Sequence, residues 1–134
     1  MHDGAWFEAL FKSIDAKDTK TFLTFLTADG LFRYGSNPPA VGHAAIGATV
    51  DQFFATIQSS QHRVLRIWQE TDSAVCQGEV RYTLPDDRQI ELPFCNVFAL
   101  SDARIARYEI YIDPTPLIAA QQMRGSGSSS NSSR

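Results

Sequence analysis

Residues 61–113 decide the fold of this chain, and they read QHRVLRIWQETDSAVCQGEVRYTLPDDRQIELPFCNVFALSDARIARYEIYID. Apolar and polar residues alternate along four runs in this stretch, at 61–70, 73–84, 88–100 and 104–113, as they do in half-buried strands. The connections between the runs are short and consist of turn-forming residues, as β-hairpins require. Parallel strands would need crossover connections of a dozen residues or more. The stretch therefore predicts a meander of four long antiparallel strands.

The residues before this stretch show helical periodicity instead. Apolar residues recur at three- and four-residue steps in three segments, at 6–14, 19–26 and 45–57, and Asp18 is a suitable N-cap for the second. Residues 31–34 predict a short strand between the second and third helices. Helices followed by strands indicate an α+β fold. We expect three N-terminal helices packed on one face of a curved antiparallel sheet with four long strands and one short strand.

The length and composition of the chain limit its organisation. The 134 residues are 43% hydrophobic, which is enough for one hydrophobic core and predicts a single domain over residues 1–123. Residues 124–134 read RGSGSSSNSSR, a Gly/Ser-rich composition that predicts a flexible tail.

The charge pattern argues against two classes of partner. Acidic residues outnumber basic ones by 15 to 12, and no segment gathers basic residues on one face, so we expect no nucleic acid partner. No apolar run approaches the roughly 18 residues that span a bilayer, and the N-terminus carries no secretory signal. Cys76 and Cys95 lack a CxxC spacing and lie in strand-like runs. These features predict a cytoplasmic protein without membrane contact.

Cofactor and metal motifs are missing from the sequence. The three histidines, His2, His43 and His62, are not placed at metal-ligand spacing, and no nucleotide-binding, nucleophile-elbow or zinc-protease motif is present. We therefore predict no cofactor and no metal site.

Five segments lie in a distinctive order and spacing among the predicted elements: Ile14–Asp18, Thr27–Gly30, Gly42–Ile46, Asn96–Leu100 and Arg104–Asp113. Together with the order of elements, they resemble the nuclear transport factor 2-like superfamily, which includes ketosteroid isomerase and the SnoaL-like polyketide cyclases. The resemblance covers about residues 3–117. It implies a cone-shaped sheet closed by the helices, an apolar pocket for a small hydrophobic molecule, and a homodimer formed through the outer face of the sheet.

The catalytic groups of the best-known family members are largely absent from the matching positions. Alignment by the same segments places Leu10 where ketosteroid isomerase has a tyrosine, Gly35 where it has the base and Asn96 where it has a neutral acid. Leu10 and Gly35 can neither donate nor accept a proton, so that mechanism is not expected. SnoaL-like cyclases carry an acid on the last strand, but alternation turns Glu109 and Asp113 away from the pocket unless the register slips by one residue.

The remaining polar side chains form the predicted site. His62 is the candidate acid–base catalyst, and Asn96 is the candidate hydrogen-bond donor to a ligand oxygen. His62 is expected to share a face with Val64, Arg66 and Trp68. The alternative for His62 is a histidine on the surface or in a dimer contact. The alternative for Asn96 is an amide that hydrogen-bonds to the strand backbones and has no contact with a ligand. The other predicted ligand-binding residues are Tyr34, Trp68, Tyr82, Phe94, Phe98, Tyr108, Ile110 and Ile112.

Two functions remain open from the sequence. One is a SnoaL-like pocket protein that acts as a cofactor-free isomerase, dehydratase or cyclase on a compact hydrophobic ligand. The other is a non-catalytic ligand-binding, dimerisation or interaction domain. A histidine or carboxylate that is paired inside the cavity would favour the enzyme.

Overall fold

The structure is a computed structural model that describes residues 2–123, so the predicted tail at 124–134 lies outside the described residues. Four helices and six strands follow one another in the order α1 (Gly4–Asp15), α2 (Thr19–Thr24), β1 (Leu26–Tyr34), β2 (Ala40–Val41), α3 (His43–Phe54), β3 (Ser59–Gln69), β4 (Ser73–Thr83), β5 (Gln89–Ser101), β6 (Arg104–Ile112) and α4 (Thr115–Met123).

The helix starts follow the side-chain chemistry of their first residues. The carboxylate of Asp3 accepts a hydrogen bond from the backbone N–H of Trp6 and caps α1, and Asp18 accepts one from Thr21 and caps α2 as predicted. Helix α4 was not predicted. It begins after Asp113, whose carboxylate accepts hydrogen bonds from the backbone N–H and the hydroxyl of Thr115, and it is anchored by the buried Leu117.

The strands form one curved, unclosed sheet in the order β2-β1-β6-β5-β4-β3. The four long strands pair as the predicted antiparallel meander. Strand β1, however, runs parallel to β6, and the two-residue β2 pairs with β1. The sheet is therefore mixed. Strand β1 precedes α3 in sequence, but in the sheet it lies next to β6, the last strand of the chain. The α+β fold with helices against a curved sheet is confirmed, with one more short strand and one more helix than expected.

The core lies between the concave face of the sheet and helices α1 to α3. Phe7 and Leu10 of α1, Phe22 of α2 and Ile46 of α3 are almost completely buried there. Burial of a large apolar side chain contributes roughly 1.5–3 kcal/mol to stability. The helices cover only part of the concave face, which leaves space for a cavity.

A β-bulge in β3 changes which residues of that strand face the core. Val64 is opposite Gly78 of β4, but the next residue paired with β4 is Arg66, opposite Gln77, so Leu65 is an extra residue. Gly78 permits this close approach: a Cβ there would lie 2.3 Å from the carbonyl oxygen of Arg63 and 2.8 Å from the ring of Phe94. Even-numbered residues point inward before the bulge, and odd-numbered residues do so after it.

The convex face of the sheet carries exposed apolar and charged side chains together. Leu65, Trp68 and Tyr111 are each about half exposed, at 49%, 49% and 52%. Ion pairs lie among them, between Arg81 and Glu91 and between Arg63 and Glu79. Within residues 2–123, none of the helices has the length and apolar character needed to cross a membrane.

Candidate active site

A cavity of about 330 Å³ lies between the concave face of the sheet and the helices. Its rim includes the exposed polar residues Asn37, Thr49, Gln52 and Thr56, and its floor is formed around Tyr108. No lysine or arginine of the described part of the chain lines it. The remaining lining side chains are mostly apolar or aromatic: Ile14, Phe22, Phe32, Tyr34, Val50, Phe53, Phe54, Ser60, His62, Val80, Tyr82, Phe94, Asn96, Ile110 and Ile112.

His62 is paired with a carboxylate at the wall of this cavity. Its Nδ1 lies 2.6 Å from Oδ1 of Asp15, and its backbone N–H donates to Oδ2 of the same carboxylate over 2.9 Å. The hydroxyl of Ser60 donates a third hydrogen bond to Asp15, over 2.8 Å. Asp15 is the last residue of α1, and His62 and Ser60 lie two residues apart on β3, so the pair joins the end of the helix to the start of the strand.

This arrangement defines the orientation and the tautomer of the imidazole. The His62 ring stacks on Phe11 at a centroid distance of 4.9 Å and meets the edge of Phe94 at 5.4 Å. Because Nδ1 donates to Asp15, Nε2 of the neutral ring is an acceptor. Within residues 2–123 Nε2 has no hydrogen-bond partner, and the ring lines the cavity. His62 is thus presented to the cavity with Nε2 free to act as a base, and the carboxylate holds the ring in this orientation.

Asp15 was not predicted as the partner of His62. In the sequence it lies in the segment Ile14–Asp18, which only supported the family resemblance, and no local motif connects two residues that are 47 positions apart. A signal was nevertheless present: an acidic residue follows Ile14 at the end of the apolar face of the first helix, where it is carried to the edge of the core.

Asn96 and Tyr108 form a second polar group, at the cavity floor. Asn96 is 2% exposed, and its Nδ2 donates to the hydroxyl of Tyr108 over 3.3 Å. Its Oδ1 is the one buried side-chain nitrogen or oxygen atom without a hydrogen-bond partner in the described part of the chain. Burial raises the pKa of Tyr108 well above its ordinary value, so its hydroxyl stays protonated. The floor therefore offers a free acceptor on Asn96 and a neutral hydroxyl on Tyr108.

Tyr34 and Tyr82 form a third polar group across the cavity. Their hydroxyls lie 3.1 Å apart, although β1 and β4 are separated in the sheet by β6 and β5. The ring of Phe53 packs against both, with centroids 5.3 and 5.4 Å away. Desolvation raises the pKa of both phenols, so they too remain neutral hydrogen-bonding groups.

Eight of the ten predicted site residues line this one cavity: His62 and Asn96 together with Tyr34, Tyr82, Phe94, Tyr108, Ile110 and Ile112. The placement of Trp68 is corrected, because the bulge at Leu65 turns it to the convex face, opposite Val75. Of the three residues predicted to share a face with His62, Val64 does so, whereas Arg66 and Trp68 lie on the opposite face.

Phe98 is also corrected, because it packs beneath the cavity instead of lining it. It is completely buried, with its ring 4.7 Å from Tyr108 and 6.1 Å from Phe7. It supports the floor from the side of α1.

The acids of the last strand lie away from the cavity. Glu109 is opposite Val97 and lies 3.5 Å from the guanidinium of Arg107. Asp113 caps α4, and its hydrogen bonds to Thr115 lower its pKa. Within residues 2–123, no group of three or more His, Cys, Asp or Glu side chains is arranged to hold a metal ion.

Comparisons with known proteins agree with this architecture. The SnoaL-like domain matches residues 7–108. A hypothetical protein from Catenulispora acidiphila with a ketosteroid isomerase-like fold, solved with trimethylamine, superposes with a TM-score of 0.80 at 11% identity, over 90% of this chain and 95% of that chain. No curated protein sequence matches the chain.

Two further solved structures have the same fold. A polyketide cyclase candidate from Xanthomonas campestris gives a TM-score of 0.73 at 20% identity, over 86% of this chain and 93% of that one. A nuclear transport factor 2-like protein of unknown function from Burkholderia pseudomallei gives 0.77 at 17% identity, over 84% and 92%. Such identities show a shared fold alone, whereas the domain match extends over most of the described residues. The chain belongs to the SnoaL-like domain family.

Proposed function

We propose that this protein is an acid–base enzyme, an isomerase, dehydratase or cyclase, that acts without a cofactor on a compact hydrophobic molecule held in the cavity. The observation that carries the proposal is the pairing of His62 with Asp15 at the cavity wall. A histidine whose Nδ1 is held by a carboxylate is suited to accept a proton at Nε2. The similarity in fold to a polyketide cyclase candidate is consistent with cyclisation as one of these reactions.

The proposed first step removes a proton from carbon. Nε2 of His62 accepts the proton from a C–H bond beside a carbonyl group, and the electron pair of that bond forms an enolate. The negative charge develops on the carbonyl oxygen, where the hydroxyl of Tyr108 and the amide N–H of Asn96 are candidate donors. The hydrogen bond from Asn96 to Tyr108 polarises the phenol and strengthens it as a donor.

Three outcomes of the enolate preserve the atom balance. In isomerisation, His62 returns the proton to a different carbon of the same molecule. In dehydration, a hydroxyl beside the carbanion leaves and takes the proton as water. In cyclisation, the carbanion carbon attacks a second carbonyl of the substrate, and the proton from His62 neutralises the new alkoxide.

Exchange of carbon-bound protons with solvent tests this step without knowledge of the natural substrate. The protein is incubated in deuterated water with β-tetralone, a compact ketone with acidic α-protons, and loss of the α-proton signal is followed by NMR. We expect His62→Asn to lower the protein-catalysed rate by about 100-fold or more. His43→Asn, which changes a histidine outside the cavity, is expected to leave it unchanged. Equal rates for the wild type and His62→Asn would overturn the proposal.

A second candidate function is ligand binding without catalysis. The observation that favours it is that Glu109 and Asp113, the acids nearest to the position of the family's last-strand acid, lie outside the cavity. Binding of cyclic ketones or phenols with no proton exchange above the uncatalysed rate would select this function.

We also propose that the protein forms a homodimer through the convex face of the sheet. Trp68 and Tyr111 are exposed there, and arginine and glutamate side chains are interspersed among them, so the face has the mixed polarity of ordinary protein interfaces. Light scattering at micromolar concentration should give twice the chain mass. The Trp68→Glu variant should shift it toward one chain, and a monomeric wild type would contradict the proposal. The cytoplasmic location and the lack of nucleic acid partners stay predictions.

A further inference from the structure

The three polar groups of the cavity differ in what they still lack. Asp15 accepts three hydrogen bonds within the protein. By contrast, Oδ1 of Asn96 accepts none, although it is buried and has lost its access to water. A buried acceptor without a partner costs roughly 1–3 kcal/mol. A ligand that donates a hydrogen bond to this atom would remove that cost.

The Tyr34–Tyr82 pair also has hydrogen-bonding capacity that the described residues do not satisfy. Two hydroxyls carry two protons, and the single hydrogen bond between them uses only one of these. Neither hydroxyl has another partner within residues 2–123, and Tyr82 is almost completely buried. The pair therefore retains one O–H donor and free lone pairs in a cavity that is otherwise largely apolar.

The two groups belong to different strands of the sheet: the tyrosine pair to β1 and β4, and the Asn96–Tyr108 pair to the intervening β5 and β6. Tyr34 is opposite Ile110, which in turn is opposite Asn96, so the two residues are separated by the width of two strand spacings, roughly 10 Å. Phe53, which is partly exposed, packs against the Tyr34–Tyr82 pair on the rim side, whereas the Asn96–Tyr108 pair lies at the floor. A molecule that fills the space between them can reach both.

We infer that the Tyr34–Tyr82 hydroxyl pair is a second polar anchor and that the ligand is a neutral ring compound with oxygen functions at two separated positions. One is a hydroxyl or enol that donates to Oδ1 of Asn96, and the other bonds to the tyrosine pair. Among residues 2–123, neither lysine nor arginine lines the cavity, which disfavours carboxylates and phosphates as ligands. The inference rests on the proposed function only in that it assigns the same cavity to the substrate.

Calorimetric titration can test the inference with matched probes. β-Naphthol has one hydroxyl, and the naphthalenediols have two hydroxyls at different separations on the same ring system. We expect at least one diol to bind about tenfold more tightly than β-naphthol. This factor corresponds to one additional hydrogen bond in which both the donor and the acceptor are satisfied.

Two sets of variants assign this gain to the tyrosine pair. The double variant Tyr34→Phe/Tyr82→Phe should bind the diol and β-naphthol equally well, because it keeps the rings and removes both hydroxyls. Tyr111→Phe, on the convex face, is the control and should keep the tenfold difference. The Asn96→Leu variant should weaken both probes.

Three outcomes would overturn the inference. These are a diol affinity no higher than that of β-naphthol for the whole panel, a preference for diols that persists in the double variant, and no binding of any probe to the wild type. All three are independent of proton exchange on β-tetralone. A protein that catalyses exchange but shows no preference for diols would therefore lose this inference and keep the proposed function.

Discussion

Replacing Asp15 by asparagine should test the carboxylate–histidine pair through stability as well as through activity. In the wild type, one carboxylate oxygen accepts from the backbone N–H of His62 and the other from its ring. Asparagine keeps one acceptor oxygen but replaces the other with an NH₂ group, so one of these two hydrogen bonds is lost. One hydrogen bond to a charged acceptor is worth roughly 1.5–3 kcal/mol. The Asp15 side chain is 23% exposed, which reduces this value, and we expect Asp15→Asn to lower the free energy of unfolding by about 1–2 kcal/mol.

A double-mutant cycle isolates the contact with the ring. His62→Ala removes the imidazole but keeps the backbone N–H that donates to Asp15, so the cycle of Asp15→Ala and His62→Ala reports the Nδ1 contact. We expect an interaction energy of about 1–2 kcal/mol from urea unfolding. Asp51→Asn is the control, since Asp51 accepts its hydrogen bond from Thr19 at an exposed position, and it should change stability by less than about 0.5 kcal/mol. An interaction energy near zero would refute the pairing of Asp15 with His62.

Three further predictions concern the packing around the cavity. Gly78→Ala should lower the free energy of unfolding by about 3 kcal/mol, because its Cβ would overlap backbone and ring atoms, whereas Gly47→Ala on α3 meets only flexible side chains and should be neutral or stabilising in the same urea titration. Stability should fall as the pH rises above the ordinary tyrosine pKa of 10.0, because folded Tyr108 keeps its proton while the unfolded chain loses it. Tyr108→Phe should reduce this slope, and equal slopes would contradict the burial of the phenol. Burial raises the pKa of Cys76 to about 12, so in a Cys95→Ser variant the remaining thiol should not react with a disulfide reagent near pH 8 unless the protein is unfolded.

Much of the fold was predictable because the local signals agree with the tertiary structure. The hairpins of residues 61–113 combine alternating patterns with short turns, and each strand pairs with its neighbour in sequence. The pairing of β1 with β6 was not predictable in this way. The two strands are about 75 residues apart in sequence, and their contact depends on how the whole sheet curves.

The site was predictable in composition more than in geometry. Inward-facing residues of the meander identified most of the cavity lining, because alternation holds wherever the strands are regular. Trp68 was misplaced because one extra residue at the bulge reverses that alternation. Asp15 was missed because the carboxylate reaches His62 only through the packing of α1 on β3, which no spacing rule describes.

The bulge at Leu65 divides β3 into two segments with different surroundings. The residues before it contribute Ser60 and His62 to the buried wall, and those after it present Trp68 to the exterior. Substitutions in the first segment can therefore change the cavity wall without changing the convex face, and the reverse holds for the second segment. Deleting Leu65 should remove the bulge but keep Ile67 facing inward and Trp68 facing outward, because Val64 and Arg66 would then be consecutive residues of a regular strand.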